Sequence, residues 1–95
     1  MTGRNKDIFN TPCSNPAYTR NMLIEEIKTR YRNGWELNWF TTNVKSFGWE
    51  DINPEVSKFL KRLKTLDFER ADVSFFNPTT KDTVYECYEL VKNEM

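Results

Sequence analysis

Histidine is absent from this chain of 95 residues. The sequence therefore lacks the only side chain whose ordinary pKa lies near neutrality, which is also the most common general base and transition-metal ligand. Only Gly3, Gly34 and Gly48 are available, so there is no glycine-rich phosphate loop. EF-hand, zincin, nucleophile-elbow and Rossmann fingerprints are also missing. We therefore predict a protein that is not an enzyme and that needs neither a cofactor nor a metal.

Cysteine is scarce as well, since only Cys13 and Cys87 occur and no CxxC pair exists. This spacing argues against a zinc site. One disulfide between the two is formally allowed, but the rule that cytosolic thiols stay reduced favours two free cysteines. Without histidine neither thiol has an activating base, so both are predicted to be non-catalytic. Cys87 is expected to be packed within a strand and Cys13 to be exposed.

Neither sign of charge is in excess, because 14 basic residues balance 14 acidic ones. A dedicated duplex-DNA or membrane-surface binder usually carries a clear positive excess. No run approaches the roughly 18 apolar residues of a membrane span, and the polar N-terminus lacks the apolar core of a signal peptide. We expect a cytoplasmic protein with no membrane association. Residues with AT-rich codons are abundant, which indicates an AT-rich genome of bacterial or phage type.

Helix and strand signals alternate along the chain. Asn15 and Pro16 predict the N-cap and first turn of a helix that ends at the Asn33-Gly34 break. A strand over 35–42 follows, and its alternation places Trp35, Leu37 and Trp39 on one face and Phe40 on the other.

The second half of the chain predicts one helix and one hairpin. A loop over 45–53 leads to the helix, with Asn53 as its cap and Pro54 as its first residue. Its apolar face is formed by Val56, Phe59, Leu60, Leu63 and Leu66. Two alternating runs, 70–76 and 84–91, flank the turn formers of 77–82 and predict an antiparallel pair of strands.

The element order α-β-α-β-β predicts one α+β domain over residues 15–95 behind an irregular N-terminal arm of residues 1–14. We expect a three-stranded, mainly antiparallel sheet with the two helices packed on one face. Apolar residues occur on both sides of the strands. The second sheet face is therefore expected to be partly covered by the arm or presented to a partner.

Aromatic residues make up 15% of the chain, and most are predicted to fill the core. That set comprises Tyr31, Trp35, Trp39, Phe59, Phe68 and Phe75. Phe47 and Trp49 differ because they lie in the predicted loop beside Glu50 and Asp51. Since tryptophan often carries binding hot spots, these four residues are the predicted partner-binding site. The alternative is that Trp49 folds back as a lid on the core.

Charged residues offer two further candidate sites. The second predicted helix exposes a basic face that could contact phosphates, formed by Lys58, Lys61, Arg62 and Lys64. The neutral total charge favours a solvated helix face instead. The hairpin carboxylates Asp82, Glu86 and Glu89 are predicted to be surface charges. Glu86 and Glu89 should point to opposite faces of a regular strand, so they cannot act as one catalytic pair.

We therefore predict function by contact rather than by catalysis. The favoured hypothesis is a small protein-binding module, monomeric or homodimeric. It would resemble in type the phage or mobile-element accessory proteins that inhibit or regulate a host macromolecular machine in the host cytoplasm. The alternative is a single-stranded nucleic-acid or RNA-binding protein that uses sheet aromatics and helix-two lysines. A histidine-free ribonuclease toxin is the third hypothesis.

Overall fold

The computed structural model describes residues 13–91, which form a five-stranded sheet with helices on one face. In chain order the elements are β1 (Asn15–Tyr18), α1 (Arg20–Arg32), β2 (Glu36–Thr42), β3 (Ser46–Gly48), α2 (Trp49–Ile52), a 3-10 turn (Asn53–Glu55), α3 (Val56–Thr65), β4 (Arg70–Asn77) and β5 (Asp82–Leu90). The predicted α+β class is confirmed, with α1 and α3 as the two principal helices. The predicted arm of residues 1–14 lies outside the described residues, except for Cys13 and Ser14.

The strands lie in the spatial order β1-β5-β4-β2-β3. β1 pairs in parallel with β5, and the other neighbours are antiparallel. The three predicted strands are the central β2, β4 and β5, and the hairpin of β4 and β5 has the predicted pairing. The structure adds one short strand at each edge: β3 from the predicted loop, and β1 from the predicted start of the first helix.

Helix α1 begins later than predicted because Thr19, not Asn15, is its cap. The hydroxyl of Thr19 accepts a hydrogen bond from the backbone N–H of Met22 at 3.1 Å. Pro16 lies in the edge strand β1, where its missing N–H costs no ladder hydrogen bond. The predicted end is confirmed: Gly34 has φ 91°, and the N–H of Trp35 donates to the carbonyl of Arg30 at 2.9 Å.

Asn53 is also not the cap that the sequence predicts, since helix α3 begins three residues later at Val56. Its side chain binds the backbone of β2 instead. The Asn53 amide nitrogen donates to the carbonyl of Leu37 at 2.7 Å, and the Leu37 N–H donates to the Asn53 side-chain oxygen at 3.3 Å. The hydroxyl of Tyr31 donates to the same oxygen. Asn53 therefore ties the segment before α3 to the sheet.

A β-bulge in β2 reverses the predicted alternation. Leu37 is in register with Phe75 of β4, but Trp39 is in register with Ser74, so Asn38 is the extra residue. One extra residue shifts every following side chain to the other face. Leu37 and Phe40 are therefore both fully buried on the helical side, whereas Trp39 faces away from it. The prediction of Trp39 as a core residue is wrong for this reason.

The hydrophobic core lies between the sheet and the helices α1 and α3. Its centre is an aromatic cluster in which Phe59 of α3 packs edge to face on Phe40 and Phe47, with ring centroids 5.3 and 5.2 Å apart. Phe68 and Phe75 are buried as predicted. Trp35 and Tyr31 are partly buried and pack against this core. None of the helices within residues 13–91 is long and apolar enough to cross a membrane.

A disulfide joins Cys13 to Cys87, with 5.2 Å between their Cα atoms. This contradicts the expectation of two free thiols, and Cys13 is partly buried rather than exposed. The backbone carbonyl of Cys87 is also paired, because the side-chain amide nitrogen of Asn15 donates a hydrogen bond to it at 3.0 Å. The bond attaches the residue before β1 to the middle of β5.

Candidate functional site

The sheet face that points away from α1 and α3 is called the open face here. The register between strands assigns its residues, since residues paired across neighbouring strands lie on the same face. On β2, β4 and β5 these are Glu36, Trp39, Thr41, Arg70, Asp72, Ser74, Phe76, Thr83, Tyr85, Cys87 and Glu89. Neither α1 nor α3 packs on this face, because their buried residues belong to the core on the other side.

Two exposed aromatic rings meet at the centre of the open face. Trp39 on β2 and Tyr85 on β5 are both in register with Ser74 of the intervening strand β4. Their ring centroids are 6.2 Å apart, and the ring planes are tilted by 35°. Trp39 is 37% exposed and Tyr85 is 70% exposed. We call these two residues the aromatic pair.

Ser74 makes the close approach of the aromatic pair feasible. Its side chain points to the open face and yet is fully buried, because the two rings lean over it from either side. Its hydroxyl accepts a hydrogen bond from the side-chain amide of Asn38 at 3.1 Å, so this buried polar group is satisfied. A larger residue at position 74 would push the rings apart.

A further exposed aromatic residue, Trp49, lies at the edge of the sheet. Its indole N–H donates to the carboxylate of Glu36 at 3.1 Å, and its side chain remains 44% exposed. Glu36 belongs to the open face and is in register with Phe76 of β4. Trp49 therefore extends the aromatic surface towards the β3 edge.

Charge is separated between the two principal helices and the strands, although the total is zero. Helices α1 and α3 carry eight basic residues, namely Arg20, Lys28, Arg30, Arg32, Lys58, Lys61, Arg62 and Lys64, against the acidic Glu25 and Glu26. The five strands of the described part carry five acidic residues, namely Glu36, Asp72, Asp82, Glu86 and Glu89, against the basic Arg70. On the open face, Arg70 pairs with Asp72 at 3.9 Å.

The predicted site of Phe47, Trp49, Glu50 and Asp51 is divided by the structure. Phe47 lies in strand β3 rather than in the predicted loop, and it is buried in the aromatic core and contributes nothing to the surface. Trp49, Glu50 and Asp51 are exposed in the short helix α2. Asp51 has a local structural role, because its carboxylate accepts a hydrogen bond from the N–H of Gly48 at 2.9 Å. Trp49 does not fold back onto the core.

The predicted basic residues all lie on the solvent side of α3, which is the side of the sheet opposite the aromatic pair. Lys58 pairs with Glu55 at 3.8 Å, and the guanidinium of Arg62 lies 5.2 Å from the ring centre of Phe47. Lys61 and Lys64 are exposed. The structure therefore does not bring the sheet aromatics and the helix lysines onto one surface.

The hairpin carboxylates face opposite sides, as predicted. Glu86 is in register with Val73 on the helical side, whereas Glu89 is in register with Arg70 on the open face. Glu86 is an ion-pair partner of Arg30 at 3.3 Å and accepts a hydrogen bond from Asn15 at 2.9 Å. Within residues 13–91, no three acidic or cysteine side chains are grouped in a way that would hold a metal ion.

Trp39 and Tyr85 were not identified as site residues by sequence reasoning. The signal for Trp39 was present, since Phe40 is out of phase with Leu37 and the polar Asn38 lies between them. Such a break in period marks a bulge. Tyr85 had no distinguishing local signal, because aromatic residues are enriched in strands generally.

No protein-family model, curated protein or solved structure matches this chain.

Proposed function

We propose that this protein is a non-enzymatic protein-binding module and that the open face is its contact surface. The observation that carries the proposal is the aromatic pair, Trp39 and Tyr85, exposed at the centre of a sheet face that neither principal helix covers. Tryptophan and tyrosine are enriched among the residues that dominate binding energy, and their rigid rings lose little conformational entropy on contact. Trp49 at the edge enlarges the same surface.

Two features favour a protein partner over a nucleic acid. A single-stranded nucleic-acid binder combines stacking rings with basic groups along one groove. Here the rings share their face with the carboxylates of Glu36, Asp72 and Glu89, and the exposed lysines of α3 lie on the other side of the molecule. Phosphates would be repelled where the bases would stack. The partner in this proposal is a component of a larger host assembly, which a phage or mobile-element protein of this type would inhibit or regulate.

The proposal is tested by affinity capture with two matched double variants. The open-face variant is Trp39→Ser with Tyr85→Ser, and the control is Lys61→Ser with Lys64→Ser on α3. We expect the wild-type chain and the control to recover the same stoichiometric protein from a nuclease-treated lysate of the native host. The open-face variant should recover at least about tenfold less, since hot-spot truncations cost about 2 kcal/mol or more. Thermal unfolding of both variants checks that the fold is retained.

Two outcomes would overturn the proposal. In the first, the open-face variant keeps the partner while the control variant, with Lys61 and Lys64 replaced on α3, loses it. The contact surface would then lie on the helical side. In the second, nuclease treatment removes everything that the wild-type chain captures, which would leave a nucleic acid as the partner.

A further inference from the structure

We infer that the segment bound by the open face is rich in arginine or lysine. This inference rests on the proposed function and adds the chemistry of the partner. The chain has no net charge, but the two principal helices α1 and α3 are basic and the strands are acidic. Charge complementarity across an interface speeds association and suppresses wrong partners.

The carboxylates flank the aromatic pair at regular positions. Asp72 lies two residues from Ser74 along β4, in register with Thr41 and Cys87 on the neighbouring strands. Glu36 lies on the other side of the pair, in register with Phe76. Two residues of strand span about 7 Å, so a carboxylate is within one long side chain of the rings in both directions. Glu89 adds a third acidic group beyond Asp72.

Ring faces and carboxylates together suit a cationic side chain. A guanidinium or ammonium group is attracted to the face of tryptophan or tyrosine, and a carboxylate accepts charge-assisted hydrogen bonds from the same group. Arg70, the basic residue among the strands, is already paired with Asp72 at 3.9 Å and lies beside Glu89. It therefore offsets only part of the acidic charge of this face.

The protein already uses this combination within its own fold. The guanidinium of Arg30 lies 4.6 Å from the ring centre of Phe75 and 5.2 Å from that of Trp35. The same group forms an ion pair with Glu86 at 3.3 Å. On the open face the corresponding rings and carboxylates are present without an arginine from the helices, so the cation would come from the partner.

The test uses the full chain and two short synthetic peptides, one of alternating arginine and glycine and one of alternating glutamate and glycine. Binding is measured by calorimetry and by the NMR shift of the Trp39 indole N–H, which a Trp39→Phe variant identifies. We expect the basic peptide to bind and to shift the Trp39 signal, and the acidic peptide to do neither. Raising the salt from about 50 to about 300 mM should weaken the binding, because exposed charges are screened.

Charge variants make the test specific. Asp72→Asn with Glu89→Gln should weaken the basic peptide by about two- to fivefold per lost contact, whereas Lys61→Gln with Lys64→Gln should not weaken it. Trp39→Ser with Tyr85→Ser should weaken it as well. The inference is overturned if both peptides bind equally or if the Trp39 signal does not move. It is also overturned if the variant Asp72→Asn with Glu89→Gln binds the basic peptide as tightly as the wild-type chain does.

Failure of this inference and failure of the proposed function give different results. If the basic peptide does not bind but the open-face variant still loses its captured protein, the contact surface stands and only the partner chemistry is wrong. If an RNA oligonucleotide shifts the Trp39 signal instead, both are wrong. Self-association of the chain that buries the aromatic pair, measured by sedimentation, would also overturn the inference, since the occupant would be a second copy.

Discussion

The hydroxyl groups of Tyr31 and Tyr88 are both withdrawn from water, but their surroundings differ. Tyr31 donates to the side-chain oxygen of Asn53 and accepts from the N–H of Leu37 at 3.4 Å. Tyr88 is 1% exposed, and its hydroxyl has no hydrogen-bond partner among the described residues. A buried polar group without a partner costs about 1–3 kcal/mol, whereas a satisfied one contributes about 1 kcal/mol.

Removing each hydroxyl should therefore change the stability in opposite directions. Tyr31→Phe is expected to lower the free energy of unfolding by about 1–2 kcal/mol, because it leaves Asn53 and the Leu37 N–H with fewer partners. Tyr88→Phe is expected to raise it by about 1 kcal/mol, because it removes an unsatisfied group. Urea unfolding of the two variants measures both. A loss of stability in Tyr88→Phe would contradict the account by showing that the hydroxyl is hydrogen bonded.

The same two residues predict how stability depends on alkaline pH. Burial raises the pKa of Tyr31 from 10.0 to about 12, and it raises the pKa of Tyr88 as well. Because both folded-state values lie above the unfolded value, the folded state holds these protons more tightly. Their contribution to stability is complete below pH 10 and is lost as the pH rises from about 10 towards 12. The measurement is the free energy of unfolding across this range, which should fall less steeply in Tyr31→Phe than in the wild-type chain.

At the scale of elements, the bulge in β2 decides which side chains lie on the open face. If β2 kept a regular alternation through Asn38, Trp39 would lie on the same face as Leu37 and would point into the core. The bulge interrupts the ladder near Leu37, and the side chain of Asn53 binds both the N–H and the carbonyl of that residue. Asn53 thereby replaces a strand neighbour at the point where the regular pairing is disturbed.

Asn53→Ala should therefore destabilise the chain by about 2–3 kcal/mol, because two backbone groups of Leu37 lose a partner. The control is Asn21→Ala on the exposed surface of α1, for which a change within about 0.5 kcal/mol is expected. Hydrogen exchange at the Leu37 amide should also become faster in the Asn53 variant. Equal stabilities for the two variants would mean that the bulge does not depend on Asn53.

The limits of sequence reasoning appear at the same elements. Helix faces, the Gly34 stop and the β4–β5 hairpin follow from local patterns, and the structure has them. The start of α1 could not be decided locally, because Asn15 and Thr19 are both good caps and the choice depends on pairing with β5. Strand β3 has three residues, too few for a periodic pattern. The candidate surface was missed because a single inserted residue reverses the face of Trp39.

The disulfide between Cys13, just before β1, and Cys87 of β5 should stabilise the fold. The disulfide closes a loop with a sequence separation of 74, and in the chain-entropy account such a link stabilises the fold by about 4 kcal/mol. Cys13→Ser with Cys87→Ser should lower the unfolding free energy by an amount of this order. Adding a reductant should destabilise the wild-type chain but not the variant. A variant as stable as the oxidised wild-type chain would show that β1 holds its place without the bond.

At the scale of the whole molecule, the described part is a slab of about 41 × 33 × 20 Å with two unlike sides. The helices give one side its basic residues and bury their apolar residues beneath it. The sheet gives the other side an aromatic pair and an acidic surround. A partner that recognises the open face would therefore meet rings and carboxylates together. The disulfide argues against the predicted cytoplasmic location, since such bonds persist mainly in oxidising compartments.

Site-specific photo-crosslinking tests the central claim most directly. A photoreactive phenylalanine analogue is placed at position 85, in the aromatic pair, or at position 61, on the exposed side of α3, in otherwise wild-type chains within the native host. We predict a discrete crosslinked protein adduct from position 85 and none from position 61. An adduct from position 61 alone, or no protein adduct from position 85, would contradict the assignment of the open face as the contact surface.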